Sequence, residues 1–312
     1  MMCFFCRPLK FMMLLLPLSL MPGIVNAADI LRMGVLPVVD TLPLWVGLAE
    51  KMFEQQGITL KMIPFESALE RDASLQAGNL DGYFGDVLNT ILLIRSGQKI
   101  KMITTAYHTH PDFRMFGIAV SPESGIKTRD ELQGKSIGIS RATVIEYLLD
   151  RMLIQSKLKT NSVQRQDIKK IPIRLQMLLS NQIPAALLPE PLLTLAESKG
   201  AVIILDDRSL NTAETVLAVD MKWASADNSR ISRFLAAYQK AVTRINQNPD
   251  DFKDILVKHT RFPMPVKDQY RIPVFPNVSL PSAADIADVQ DWMVETGVTD
   301  SRLDYRQIVH QP

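Results

Sequence analysis

Cysteine is almost missing from this 312-residue chain: both copies, Cys3 and Cys6, stand within the first six residues and none follows. Disulfides, thiolate metal sites and a cysteine nucleophile are thereby excluded for everything downstream. Histidine occurs only four times. His108 and His110 flank Thr109 and could face one way, yet no carboxylate pair or cysteine completes a metal site, so they read as loop histidines. No Gly-x-Ser-x-Gly elbow, phosphate-cradling glycine loop, dinucleotide glycine fingerprint or His-Glu-x-x-His pair occurs. Excess charge is also lacking. The formal net charge of +2 falls to zero once Arg7 and Lys10 are set aside, so no basic face for nucleic acid is expected.

Long apolar runs are scarce. Residues 11–20 form one that is too short to span a bilayer. Arg7 and Lys10 precede it, Pro22 and Gly23 break it, and Val25-Asn26-Ala27 gives small residues at a signal-peptidase spacing. Residues 1–27 therefore read as an export signal cleaved near Ala27. The second apolar stretch, 183–195, is interrupted by Pro184, Pro189, Glu190 and Pro191. Downstream of the signal the chain is free of cysteine and must be held by an ordinary apolar core, and it is long enough for two domains.

What is present is an alternation of strand-like and helix-like segments, the grammar of an α/β protein with mainly parallel sheets. Residues 31–36 read as a strand. Trp45, Leu48, Ala49, Met52 and Phe53 then repeat at helical spacing as far as Gly57. Ser67 and Glu70 form a capping box, Asp86 is placed to cap a helix over 87–95, and 101–105 is a fourth strand. A strand over 115–120 with no helix before it marks a crossing into a second alternating series. There Thr128 and Glu131 make another capping box and Ile145, Leu148, Leu149, Met152 and Leu153 share a face. Residues 215–219 read as a strand returning to the first series, and amphipathic helices occupy the chain from Ala226 onward. The first domain is thus discontinuous, with residues 28–117 and 216–312 around an inserted 118–215.

Ligands of open α/β sheets bind at the carboxyl ends of the strands. That rule selects Asp40 and Thr41 after the first strand, Glu66 and Ser67 after the second, Asp86 after the third, and Thr105, Tyr107, His108 and His110 after the fourth. In the inserted series it selects Ser140, Arg141 and Thr143, and Glu190 between two prolines. Each has a plainer reading: Ser67, Asp86 and Ser140 also suit helix caps, Glu190 suits the first turn of the next helix, and Arg141 and Arg174 either clamp an anion or stay solvated. Asp40, Asp86 and Glu190 together make the expected cleft acidic on balance. An organic solute bearing a hydrogen-bond donor suits it better than a simple inorganic anion.

The ordered segments LRMGVLP, WVGLAEKMFEQQGITL, ERDASLQAGNLDGYFGD, ELQGKSIGIS, LQMLLSNQIPAALLPEPL and FLAAYQKAVTRINQNPDDF resemble the periplasmic solute-binding proteins of ABC importers in the nitrate, sulfonate and taurine group, which includes binders of thiamine-pyrimidine precursors. The resemblance implies a type II periplasmic-binding-protein fold: two Rossmann-like lobes joined by two crossover strands, with extra C-terminal helices. It also implies a monomer in the periplasm that closes on a small molecule and delivers it to a membrane permease driven by an ATPase, with no cofactor, metal or catalytic residue. Family ligand contacts map to Asp40, Thr41 and Leu42, to Gly85 and Asp86, to the turn from Ser140 to Thr143, and to Glu190 with Pro191. Alternatives within the resemblance are an enzyme on the same fold, of menaquinone-pathway or pyrimidine-synthase type, and a sensory ligand-binding subunit.

Overall fold

The computed structural model describes residues 1–2 and 29–311; the apolar run of the export signal and its cleavage point lie outside the described residues. The first group of elements is β1 (Asp29–Val35), α1 (Leu42–Ala49), α2 (Met52–Gln55), β2 (Ile58–Pro64), α3 (Ala68–Gln76), β3 (Gly82–Gly85), α4 (Val87–Arg95) and β4 (Ile100–His108). Next come β5 (Phe116–Val120), β6 (Ser136–Ile139), α5 (Val144–Gln155), β7 (Gln164–Asp167), α6 (Ile171–Leu179), β8 (Ala185–Pro189), α7 (Leu192–Ser198) and β9 (Val202–Asp206). The chain finishes with β10 (Ala213–Asp220), α8 (Met221–Ala224), α9 (Arg230–Gln247), α10 (Lys253–Thr260), α11 (Ala283–Glu295) and α12 (Tyr305–Ile308).

The strands make two five-stranded sheets, ordered β2-β1-β3-β10-β4 and β7-β6-β8-β5-β9. Neither is purely parallel. β10 runs antiparallel to both β3 and β4, and β5 runs antiparallel to both β8 and β9. The sequence grammar of strand-then-helix implied mainly parallel sheets; the reversal comes from the strands beside each crossing, which join a sheet without a covering helix in between. The two crossings are tied together. The buried Asp207 carboxylate accepts from the Met115 and Phe116 backbone N–H groups at 3.0 Å, and Thr109 exchanges bonds with Thr212, N–H to carbonyl at 3.1 Å and N–H to Oγ1 at 3.0 Å.

Apolar periodicity accounts for the layers around the first sheet. On α9, Ile231, Phe234, Ala237, Tyr238, Ala241, Val242 and Ile245 are buried at i, i+3 and i+4 spacing, and Phe234 stacks on Phe53 of α2 at 5.1 Å. Each large apolar side chain among them removed from water contributes about 1.5–3 kcal/mol. Gly34 in β1 is where α3 comes close: a Cβ there would stand 2.6 Å from a Leu80 methyl and 3.1 Å from the Arg71 stem.

Two expectations need correction, and one strand had no forerunner in the sequence reading. The helix expected from Trp45 through Phe53 is two helices, because Lys51 takes a left-handed φ of 56° between α1 and α2. The fourth strand continues to His108, so Thr105, Tyr107 and His108 belong to β4 itself; its pairing with β10 carries hydrogen bonds past the polar residues that read as a loop. β7, with the sequence QRQD, has no apolar pattern at all; it is an edge strand held by its parallel ladder to β6 and by Arg165, which pairs with Asp150 and Glu146 of α5.

Candidate functional site

The two sheets present their loops and helix N-termini to a shared cavity of about 50 Å³. That is room for roughly four water molecules, so in this form it suits a ligand of a handful of heavy atoms. Its walls are mostly apolar, including Leu36, Val38, Phe84, Phe116, Ile145 and Ile171. The buried charged groups that line it are Asp40, Arg71, Asp86 and Arg174.

Asp40 follows β1 in a short 3-10 turn over Val39–Thr41 and is 1% exposed. It caps neither that turn nor α1. One oxygen accepts from Thr215 Oγ1 of β10 at 2.8 Å; the other, Oδ1, is buried with no partner. Burial pushes its carboxyl up to about 7, with the Thr215 hydroxyl and its own backbone N–H pulling the other way and the Asp207 charge adding to the rise. A carboxyl raised from the usual value of about 4 binds its proton more tightly in the folded state, so its contribution is complete below pH 4 and is lost as pH rises through 7. Replacing Asp40 with Asn should therefore flatten the fall in unfolding free energy of the empty protein between pH 4 and 7, a fall of order 2–4 kcal/mol for this group. Urea melts at several pH values measure it, and an unchanged slope would rule this assignment out.

Asp86 follows β3 and does cap α4: Oδ1 accepts from the Asn89 N–H at 2.7 Å. Oδ2 accepts from the Val144 N–H at 3.4 Å, which is the N-terminal residue of α5 in the other half. One carboxylate therefore closes two helix N-termini drawn from opposite sides of the cleft, an arrangement favoured by both helix dipoles. Burial raises it to about 6, opposed by the Asn89 N–H and by Arg71. Further bonds shut the cleft: Asn89 Nδ2 to the Ala142 carbonyl at 3.3 Å, Ile171 N–H to the Glu66 carbonyl and Val39 N–H to the Glu190 carbonyl at 3.2 Å, and Lys170 with Glu70 at 3.0 Å. Asp86→Ala removes the only one of these that is a buried side-chain cap, so it is expected to destabilise α4 by about 1 kcal/mol and to shift the protein toward a more open, larger radius of gyration in small-angle scattering.

The two arginines differ sharply. Arg71 of α3 is fully engaged: Nη1 donates to the Phe84 carbonyl at 2.7 Å, Nε and Nη2 donate to Asp72 at 2.9 and 2.7 Å, and the guanidinium lies 4.5 Å over the Tyr83 ring. Arg174 of α6 is 0% exposed, and only its Nη1 is used, donating to the Ile168 carbonyl at 2.9 Å. Its Nε and Nη2 have no partner. Burial pulls it down to about 10, with Asp167 opposing, so it remains a cation at neutral pH. A buried guanidinium with two idle donors in a fixed fork is a receptor for an anionic oxygen pair.

The cavity gathers Asp40, Gly85, Asp86, Ser140 and Thr143. Thr143 caps α5 by accepting from the Ile145 N–H at 3.2 Å and donates its hydroxyl to the Ser140 carbonyl. Thr41 and Leu42 are buried behind the cavity, the Thr41 hydroxyl donating to the Val38 carbonyl. Ser67 caps α3, whose Glu70 reaches the Glu66 N–H rather than that of Ser67 itself. Arg141 points outward: its backbone N–H donates to Asp167 and its guanidinium sits 3.6 Å from Glu146. His108 faces a different groove, 4.0 Å from Asp285. Glu190 is enclosed beneath the cleft, pairing with Arg114 at 3.0 Å and accepting from the Thr194 N–H and hydroxyl. With Glu190 withdrawn and Arg71, Arg174 and the exposed Lys169 present, the cavity is not acidic on balance as expected; two carboxylates meet three cations.

Arg71 is the residue that sequence reasoning missed. The signal was available: Arg71 and Leu75 are the two buried residues of α3, and a cation at i−4 from an apolar stripe position is placed to point inward. Among the described residues no group of three or more His, Cys, Asp or Glu is placed to hold a metal ion, and no helix is long and apolar enough to cross a membrane.

Solved structures share this architecture. A ligand-binding component of an ABC-type import system from Staphylococcus aureus, crystallised with zinc bound, superposes with a TM-score of 0.76 at 16% identity, covering 90% of this chain and 96% of that one. The periplasmic aliphatic sulphonate binding protein of Escherichia coli gives 0.73 at 19%, covering 91% and 92%. At these identities the likeness shows the periplasmic-binding-protein fold. A curated Escherichia coli (strain K12) protein, named provisionally for binding aliphatic sulfonates, is 25% identical over 200 residues; the match spans 62% of this chain and 62% of that relative's length. The model of the NMT1/THI5-like family matches residues 39–252, more than half of the chain. The chain belongs to the NMT1/THI5-like family.

Proposed function

We propose that this chain is the solute-binding component of an ABC-type importer, which captures a small organic anion in the cleft between two lobes and delivers it to a membrane permease and its ATPase. The observation that carries this reading is Arg174, a fully buried cation that lines the cavity and whose Nε and Nη2 donors have no partner. An unpaired buried charge costs several kcal/mol, and a ligand that pairs it returns that energy only on binding. Family membership and the sulfonate-binding names of relatives favour a sulfonate or another oxyanion on a short carbon chain. The lobes are residues 28–117 with 216–312, and 118–215; the protein acts as a monomer in the periplasm after loss of residues 1–27, and the contacting side chains are Asp40, Ser140, Thr143 and Arg174.

Thermal melts with short alkanesulfonates and carboxylates test it. A site that binds only the folded protein raises the midpoint with the logarithm of ligand concentration, and ligand mass should be recovered unchanged after long incubation. Conversion of a bound compound to product would favour an enzyme on this fold, and absence of any response to organic anions would overturn the reading.

A further inference from the structure

We propose that α11 is a strap that holds the two sheets together from outside the cleft, so that opening of the empty protein is set by bonds at a surface the solute does not touch. Both ends of α11 are pinned to the first sheet. Ahead of it, the Ser279 carbonyl accepts from the Thr105 N–H at 2.7 Å and from the Thr104 hydroxyl at 3.2 Å, on the outer edge of β4. Behind it, the His310 N–H donates to the Met102 carbonyl of the same strand at 2.8 Å, and Lys101 Nζ donates to the Arg306 carbonyl at 2.8 Å. The Tyr305 hydroxyl donates to the Pro281 carbonyl at 2.8 Å and so ties the two pins to each other.

Between the pins, α11 bonds to the other half. Asp288 accepts from the Tyr147 hydroxyl and, at 2.8 Å, from Arg151 Nη2, both on α5. One turn on, Trp292 Nε1 donates to Asp150 of α5 at 2.9 Å, and the Tyr147 and Trp292 rings meet edge to face at 5.8 Å. Trp292, Tyr147 and Asp150 are buried, and Asp150 also pairs with Arg165 of β7. A bond to a buried carboxylate is among the stronger ones, and it is costly to break without water at hand to replace it. These side chains stand outside the lining of the cavity. A helix with both ends on one sheet and its middle bonded to the other cannot keep both attachments when the sheets separate. The pins are backbone bonds along a strand, whereas the α5 contacts are side-chain bonds, one of them at the exposed Asp288. The α5 side therefore yields first, and the strap on the flank acts on the same open–closed equilibrium as the Asp86 bond at the cleft.

The test is hydrogen–deuterium exchange of the full-length exported protein without ligand, read at the amides that bond across the cleft, Val39, Val144 and Ile171. Their exchange rates report the free energy of opening directly. Trp292→Phe keeps a ring against Tyr147 and removes the donor to Asp150; the three amides are expected to exchange about 10- to 100-fold faster, the effect of one charge-assisted hydrogen bond. Met33 in β1 and Ile137 in β6, deep inside the two sheets, should keep their rates. Asp288→Asn, at an exposed position, removes the charge pair with Arg151 and should give about two- to fivefold at the same three amides, which decides the matter alone if Trp292→Phe does not fold. Unchanged rates at the cross-cleft amides would overturn the strap. Equal acceleration at Met33 and Ile137 would overturn it as well, since α11 would then add only to the stability of the whole fold.

Discussion

Arg174→Met is expected to raise the melting temperature of the ligand-free protein and to abolish its response to ligand. Arg174 is fully buried, and its Nε and Nη2 have no acceptor. Leaving such donors unsatisfied costs about 1–3 kcal/mol, more when the group is charged. Methionine keeps the aliphatic stem that packs against Gly138, where the Arg174 Cγ comes within 3.3 Å of an added Cβ position, while removing the charge and its donors. Loss of the bond from Nη1 to the Ile168 carbonyl offsets part of the gain, so a net stabilisation of about 1–2 kcal/mol is expected. The ligand loses a paired guanidinium, which at a buried site is worth about 2–5 kcal/mol, or roughly 30- to 5,000-fold in affinity. Opposite signs in stability and binding are the signature of a residue kept for its partner, as stability is traded for function at sites of this kind. If the variant melts lower and still binds, Arg174 is a structural cation and the site lies elsewhere.

Legibility of the site followed the range of the forces involved. Asp86 as cap of α4 was readable because capping is local: the residue, the helix start and the acceptor bond to Asn89 lie within four positions. Its second bond, to Val144 58 positions away, was not, since no spacing rule links residues in different halves of a fold. Ile171, Arg174, Leu175 and Leu178 are the buried positions of α6, so the arginine stood on the apolar stripe in plain view; the sequence left it open between an anion clamp and a solvated cation for want of the knowledge that β6 and β8 pack over that face. Asp40 was picked out by sequence only from its place after β1; in the fold it lines the cavity without capping a helix, because Thr215, returning on β10, supplies its partner. The break at Lys51 and the edge strand β7 left no trace at all: a single left-handed residue and a ladder of QRQD side chains are both decided by tertiary packing rather than by pattern.

Glu190→Ala is expected to destabilise the protein by about 3–5 kcal/mol, a drop large enough to show in any denaturant melt. The sequence drew attention to Glu190 as a candidate ligand contact, aimed by the prolines on either side. In the fold its carboxylate is 1% exposed and every bond it makes is internal: Oε1 accepts from Arg114 Nε at 3.0 Å and from the Thr194 hydroxyl at 2.9 Å, and Oε2 accepts from the Thr194 N–H at 3.0 Å. Burial holds its carboxyl above the usual range, with Arg114 working against that rise. Removing it leaves Arg114 with the half-exposed Glu197 and a long bond to the Thr194 hydroxyl at 3.5 Å, and frees an N–H in the first turn of α7. The partner change Arg114→Met strips the other half of the pair. Because an ion pair replaced as a unit by apolar groups costs far less than one partner stripped away, the double variant Arg114→Met/Glu190→Leu should lose at most about half as much as Glu190→Leu alone, in a double-mutant cycle closed by Glu190→Leu and Arg114→Met. Glu190 also stands where the halves meet, since its carbonyl accepts from the Val39 N–H one residue before Asp40. The double variant, refolded, should therefore keep its ligand response within about threefold, whereas a complete loss would place the Glu190 carboxylate among the groups that hold the solute.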